Sequence, residues 1–447
     1  MPGRALGALA VVAALVTSCT RTAEPVAAPA AAPRTVSSSA PSSLPSTSGV
    51  PPTPPPVTEP SCPAWEDGAV AEQAAPLTRA LAAHLLDPRL AGNRVSVSVW
   101  VDGLGEVLAH DGDERLPVAS NQKLLTAVGV LQELDLATTL RTEVRRSGPD
   151  LVLVAGGDPT LTSTGPHSLA ALAMLVRAAG ITEVTGRLVV DESRFDAART
   201  APGWQDWQVP TYVGPLSALT VDDNRGRTDP EFLAEPALGH GETFRRLLAA
   251  AGVRVSGAVT AGTAPDDVDV VAAVESLPVG DLLAQMLLAS DNEVAESLTR
   301  DAGVRLADDG STPAGTAALG DLLREGCAPI GAEGWADGSG LSRADLRSAR
   351  ELRRLVQWSR TQPWWPELGA RLPVAGRSGT LAGRFRGTAA EGRVVAKTGT
   401  IIGGSALTGV VTTASGHQAV FSVVVNGDGA PAARRALDEL VVALAAA

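Results

Sequence analysis

The sequence predicts a mixed helix-and-strand fold that begins near residue 75, and three patterns carry the expectation. Val95, Val97, Val99 and Val101 alternate with Ser96, Ser98 and Trp100, the period-two pattern of a half-buried strand. After Ser120, residues Leu124, Ala127, Val128 and Leu131 recur at helical spacing, which puts Ser120 at or near a helix N-terminus. Towards the end, strand patterns over 393–398, 407–412 and 418–425, with Gly416 turning the last two, lead into a closing helix over 430–446.

The other elements follow in order. Residues 76–86 read as a helix, and Gly103-Leu104-Gly105 turns the first strand into a second. The stretch 141–275 mixes short strands (151–154, 187–190, 254–259) with helices near 168–179 and 242–251. Leu282, Leu283, Met286 and Leu287 predict a helix ending at Ser290, with another starting near Glu293. No internal repeat is visible.

Length and composition fit this picture. A chain of 447 residues, 45% hydrophobic and 19% charged, can bury a large core and a second unit. A formal charge of −12 excludes the basic footprint of a nucleic-acid binder. Three cysteines and five histidines show neither CxxC nor HExxH spacing, so no metal and no cofactor is expected.

The N-terminus is built for export. Arg4 precedes an apolar run over 5–16, too short for a membrane span and suited to a signal peptide. Val16-Thr17-Ser18-Cys19 resembles a lipobox, so Cys19 is expected to be lipidated, ordinary cleavage or an uncleaved anchor being the alternatives. Either way the protein belongs at the outer face of the cytoplasmic membrane or in the cell wall. Residues 20–60 hold 11 of the 32 prolines and few charges, the composition of a disordered, extended spacer. Cys62 and Cys327 are then expected to form a disulfide in an oxidising compartment, with two buried thiols as the alternative.

The chemistry is announced by lysine. Of 37 basic residues only Lys123 and Lys397 are lysine, so these are the places where arginine, which stays protonated, cannot serve. Lys123 closes Ser120-Asn121-Gln122-Lys123, Lys397 opens Lys397-Thr398-Gly399-Thr400, and Ser290-Asp291-Asn292 lies between them. Both lysines matching such motifs by chance is on the order of one in a thousand. At i and i+3 on a helix, Ser120 and Lys123 share a face. Serine is a weak nucleophile until a base takes its proton. For Lys123 to be that base near neutrality its pKa must fall by ~3 units, which burial and a neighbouring cation can supply. Lys397 is the expected cation and would also bind an anionic substrate end. Thr398 would hydrogen-bond a carboxylate, Gly399 would let substrate backbone lie close, Ser290 would relay a proton and Asn292 would grip an amide. Taken alone, Ser290-Asp291-Asn292 reads rather as a helix-capping turn, and its place between the other two motifs reverses that reading.

The set SxxK, SDN and KTG is that of penicillin-binding proteins and class A β-lactamases. Over residues 75–447 the chain resembles the class C, low-molecular-mass penicillin-binding proteins, the D-alanyl-D-alanine carboxypeptidases and endopeptidases. Further stretches carry the likeness: 155–161, Gly203-Trp204, 219–224, Asp337-Gly338-Ser339-Gly340-Leu341-Ser342-Arg343, 372–376 and Gly379-Thr380-Leu381. The resemblance implies an α+β, serine β-lactamase-like fold, an antiparallel sheet flanked by helices plus a helical part, with an inserted α/β region. The catalytic part would be 62–140 and 276–447, and the insert 141–275. It implies Ser120 as acyl-ester nucleophile, Lys123 as proton acceptor, Ser290 as proton relay and Asn292 as substrate contact. Lys397 and Thr398 would take the terminal carboxylate, and the N–H groups of Ser120 and Thr400 the oxyanion. Peptidoglycan stem peptides would be the substrate and β-lactam antibiotics covalent inhibitors, with membrane contact only through the N-terminus. One departure is Pro117-Val118-Ala119-Ser120, a residue longer than the family's usual approach to the nucleophile. The competing readings are a β-lactamase or esterase of the same fold, and a non-catalytic wall-binding lipoprotein.

Overall fold

The strand patterns at the two ends of the globular region meet in one sheet. In a computed structural model that describes residues 62, 65–224 and 228–447, five antiparallel strands lie in the order Val394–Ile401, Gly404–Thr412, Gln418–Asn426, Arg94–Val101 and Gly105–His110. Hairpin turns at Gly403 (φ 71°) and Gly416 (φ 88°) use backbone conformations open to glycine, which brings the last three strands side by side. The leader, Cys19 and the spacer 20–60 lie outside the described residues. Those described belong to one compact unit, Thr58–Ala447.

The first strand is not half-buried as expected. Val97, Val99 and Val101 join a core with Leu437, Leu440 and Val441 of the closing helix Ala430–Ala446. Ser96 and Ser98, on the other face, are also fully buried, because the helix Ala349–Ser359 covers them. Their hydroxyls accept hydrogen bonds from Ala349 N (3.1 Å) and Arg353 Nε (3.1 Å), so burial leaves neither polar group unsatisfied. Alternation reported which side was apolar and could not report that both were covered.

On that second face a larger core joins Ala406, Val420 and Val424 of the sheet to a helical layer. Leu124, Leu125 and Val128 come from the helix Gln122–Glu133, Leu282, Leu283 and Met286 from Val279–Leu288, and Leu298 from Asn292–Ala307. Leu319 and Leu323 of Thr312–Glu325 complete it. The seam between sheet and helices is where all three lysine and serine motifs lie. Cys62 and Cys327 form a disulfide across 265 residues, tying the start of the described chain to the end of this layer.

The stretch 141–275 makes a second sheet, ordered Val270–Glu275, Arg141–Ser147, Asp150–Val154, Leu188–Asp191 and Val259–Ala261. Its first two pairings are antiparallel and its last two parallel. The helices Leu169–Ala178 and Pro236–Ala250 share its core. Arg141 pairs with Glu275, so the two ends of the stretch are neighbours. The strand expected over 254–259 is two: Arg254–Val255 pairs with Glu183–Val184, and Val259–Ala261 joins the five-stranded sheet. Gly257 divides them, with its α-carbon so near Gly186 that a Cβ would lie 2.4 Å from the carbonyl oxygen. The strands Arg141–Ser147 and Val270–Glu275 escaped prediction. The first is Arg- and Glu-rich and spends its side chains on ion pairs such as Arg145 with Glu143.

Candidate active site

Ser120 sits on a single helical turn, Ala119–Asn121, that feeds the helix Gln122–Glu133. Immediately ahead of Ser120, Ala119 lies in the left-handed region (φ 49°), costly for any residue with a Cβ. Two glycines hold this turn. A Cβ on Gly340 would stand 2.0 Å from the Ala119 carbonyl oxygen, and one on Gly399 would stand 2.5 Å from that of Val118. Asn121 Nδ2 donates to the Lys397 carbonyl (3.2 Å), stitching the turn to the strand Val394–Ile401. The space opened by Gly399 is thus filled by the backbone just ahead of Ser120, where the sequence had suggested room for substrate backbone.

Lys123 is fully buried. Its Nζ donates to Ser120 Oγ (3.3 Å), Asn292 Oδ1 (2.7 Å) and the Ser339 carbonyl (2.6 Å). Burial lowers its pKa to about 8, against the pull of the Asp337, Glu296, Asp291 and Asp345 carboxylates. Lys397 is equally buried, donating to Ser290 Oγ (2.9 Å) and the Thr398 carbonyl (3.0 Å). Burial, and then the charge on Lys123, push its pKa well below the ordinary lysine value. Burial, one of the two causes the sequence reading named, is the larger at both lysines. Lys397 has no carboxylate among these partners, so an arriving anion would restore its charge.

Ser120, Ser290, Asn292 and Thr400 line one cavity of about 470 Å³. Ser290 stands at the end of one helix in the left-handed region (φ 60°), and Asp291 caps the next by accepting from Val294 N. Asn292 is engaged at both ends, since its Nδ2 donates to the Tyr212 carbonyl (2.9 Å). Trp207 and Tyr212, stacked edge-on at 5.7 Å, form a wall that the sequence gave no reason to place here, joined by Leu341, Arg343 and Ile402. Thr398 turns its hydroxyl to Thr380, 2.7 Å away. Among the described residues no group of three His, Cys, Asp or Glu is arranged to hold a metal ion.

A model of the D-Ala-D-Ala carboxypeptidase 3 (S13) family matches residues 77–232 and 227–447. The chain belongs to the S13 family. It is 33% identical to the D-alanyl-D-alanine carboxypeptidase of Actinomadura sp. strain R39, over 81% of this chain and 83% of that one. Carboxypeptidase DacB of Mycolicibacterium smegmatis is 33% identical over 88% and 89%. The crystal structure of penicillin binding protein 4 (dacB) from Haemophilus influenzae superposes with a TM-score of 0.69 at 22% identity, covering 78% of this chain and 93% of that chain. At that identity the likeness is one of fold, and it agrees with the α+β architecture above.

In this S13 chain a set of buried acids lies behind Lys123. Asp337 accepts from Trp204 Nε1 (2.7 Å), Gly340 N (2.5 Å) and Ser342 N (2.7 Å). Glu296 accepts from Ser339 N (2.9 Å), and burial with the neighbouring Asp337 charge raises its pKa to about 8. The same two causes raise Asp345 well above the ordinary carboxylate range. Glu296 and Asp337 thus hold Ser339-Gly340, whose Ser339 carbonyl receives Lys123, while Asp345 accepts from Ala336 N (2.7 Å) and Asp337 N (3.3 Å). Sequence reasoning missed this brace. Glu296 was findable, standing four residues beyond Asn292 and so on the same helix face, whereas Asp337 and Asp345 reach it only through the fold.

Proposed function

We propose that the chain is a serine D-Ala-D-Ala carboxypeptidase acting on peptidoglycan stem peptides through an acyl-enzyme on Ser120. The observation that carries this is the buried Lys123 amine in hydrogen-bond contact with the Ser120 hydroxyl. Neutral Lys123 takes the Ser120 proton as Oγ bonds to the carbonyl carbon between two D-alanines. The oxygen that gains charge is met by the N–H groups of Ser120 and Thr400. As the C–N bond breaks, the proton passes to the leaving nitrogen through Ser290, and D-alanine departs. Water then attacks the ester with Lys123 again accepting a proton, which releases the shortened peptide and restores Ser120. Lys397 and Thr398 receive the terminal carboxylate, and Asn292 turns its amide from Tyr212 and Lys123 to the substrate.

A peptide cross-link is the same bond with a branched leaving amine, so endopeptidase action needs no additional group. β-Lactams would acylate Ser120 and stay, because among the described residues Lys123 is the one base in hydrogen-bond contact with its hydroxyl. The protein is exported, and we propose that Cys19 is acylated and residues 20–60 hold the enzyme off the membrane. The disulfide suits that oxidising compartment.

Incubating the protein with pentapeptide muropeptides and weighing the products tests the activity. Loss of a single alanine mass is expected, and unchanged peptides together with no penicillin label would leave only the wall-binding reading. Rapid turnover of a fluorescent penicillin would favour the β-lactamase reading.

A further inference from the structure

Thr398 has one hydroxyl proton, and a carboxylate can only accept it. What sets the direction of that proton is the second hydroxyl beside it. Thr380, in the single turn Gly379–Leu381, places its Oγ1 2.7 Å from Thr398 Oγ1. The turn is pinned on two sides. Gly379 lies at φ 56°, and a Cβ there would stand 2.8 Å from the Leu288 carbonyl oxygen and 3.1 Å from Pro373. Leu288 ends the helix that leads to Ser290. On the other side, the Pro373 carbonyl accepts from Ala396 N (2.9 Å), and Val374 bridges to Val395, both on the strand that carries Lys397. Ser378 Oγ closes the loop on itself by accepting from Val374 N (3.0 Å). Thr380 is therefore held in register with both the Ser290 helix and the Lys397 strand.

We infer that Thr380 is a positioning residue for the substrate's terminal carboxylate: it donates its proton to Thr398 Oγ1 and so leaves the Thr398 proton to point at the substrate. The opposite arrangement would present only the Thr398 lone pairs to an anion, which repels. A donated hydrogen bond also polarises the Thr398 O–H and strengthens its own donation. This inference rests on the reading of Thr398 as a carboxylate contact given above.

The test compares two thioester substrates that differ only in the leaving thiol, one carrying a carboxylate and the other a carboxamide, so that both still require Ser120. Thr380→Val keeps the shape and removes the hydroxyl. It is expected to lower kcat/KM for the carboxylate substrate roughly tenfold, mainly through KM, with the carboxamide substrate within about twofold of the parent. Thr380→Ser should restore the preference. Equal loss on both substrates, or no loss on either, would overturn the proposal. Thr398→Val separates the two layers. If it leaves the preference for the carboxylate intact, the Thr398 assignment itself fails. Where Thr398→Val abolishes the preference and Thr380→Val does not, the role of Thr380 alone is rejected.

Discussion

Glu296 shows how one side chain sets conditions for another. Its carboxyl is buried beside Asp337 and holds its proton up to about pH 8, while in the unfolded chain it would release it near the ordinary value of 4.5. The folded state therefore gains from Glu296 below about pH 4.5, and the gain is lost as pH rises through about 8. Thermal unfolding should show a midpoint that falls from pH 5 to 8.5 and a flatter profile in Glu296→Gln, which still accepts from Ser339 N. A parallel fall in both proteins would remove Glu296 as the cause. Lys123 was legible at this scale because a base one turn from a serine demands a particular residue type at a particular spacing. The acids behind it were not, because Glu296, Asp337 and Asp345 come from different elements and meet only once these pack.

The strand Val394–Ile401 and the turn that carries Ser120 are fitted to one another without slack. Gly399 is the point of closest approach, so Gly399→Ala must push the turn off the strand or bend the strand itself. Overpacking of this kind costs about 1–3 kcal/mol. Thermal unfolding should register that loss, and penicillin labelling of Ser120 should slow by more than tenfold in roughly the same measure. Labelling at the parent rate would mean that the turn is positioned by other contacts. The closing helix and three C-terminal strands were readable from their apolar patterns, whereas the helices Thr312–Glu325 and Ala349–Ser359 were not predicted. Misjudged elements have separate causes. The first strand hides buried serines that helix Ala349–Ser359 satisfies, and Arg141–Ser147 carries mostly charged side chains, with only Thr142 and Val144 marking its buried face.

At the scale of the molecule, the start of the described chain is bound twice to the helical layer. Cys62 is covalently joined to Cys327, and Asp67 accepts from Arg353 Nη2 (2.6 Å) and from Arg354. Burial opposes ionisation of Asp67, but the Arg354 and Arg353 guanidiniums outweigh it and hold its pKa at about 2. Replacing both cysteines by serine is expected to cost about 2–4 kcal/mol of stability in a denaturant titration. The Asp67 contacts should preserve penicillin labelling under native conditions, and loss of labelling would show that the disulfide shapes the site itself. The wall made by Trp207 and Tyr212 could not be read from the sequence, because it depends on how the stretch 141–275 folds back over the seam.

The central claim is that the Lys123 amine, brought to about pKa 8 by burial, removes the proton from Ser120. At pH 7 about a tenth of it is neutral, so activity should climb with pH as that fraction grows. The most direct measurement is the second-order rate of Ser120 acylation by benzylpenicillin across pH 5.5–9.5, in the parent and in Lys123→Arg, with the adduct located by mass spectrometry. The parent rate should rise to a plateau above about pH 8, and the folded Lys123→Arg protein should not be acylated. A flat profile, or acylation of Lys123→Arg at the parent rate, would contradict that claim.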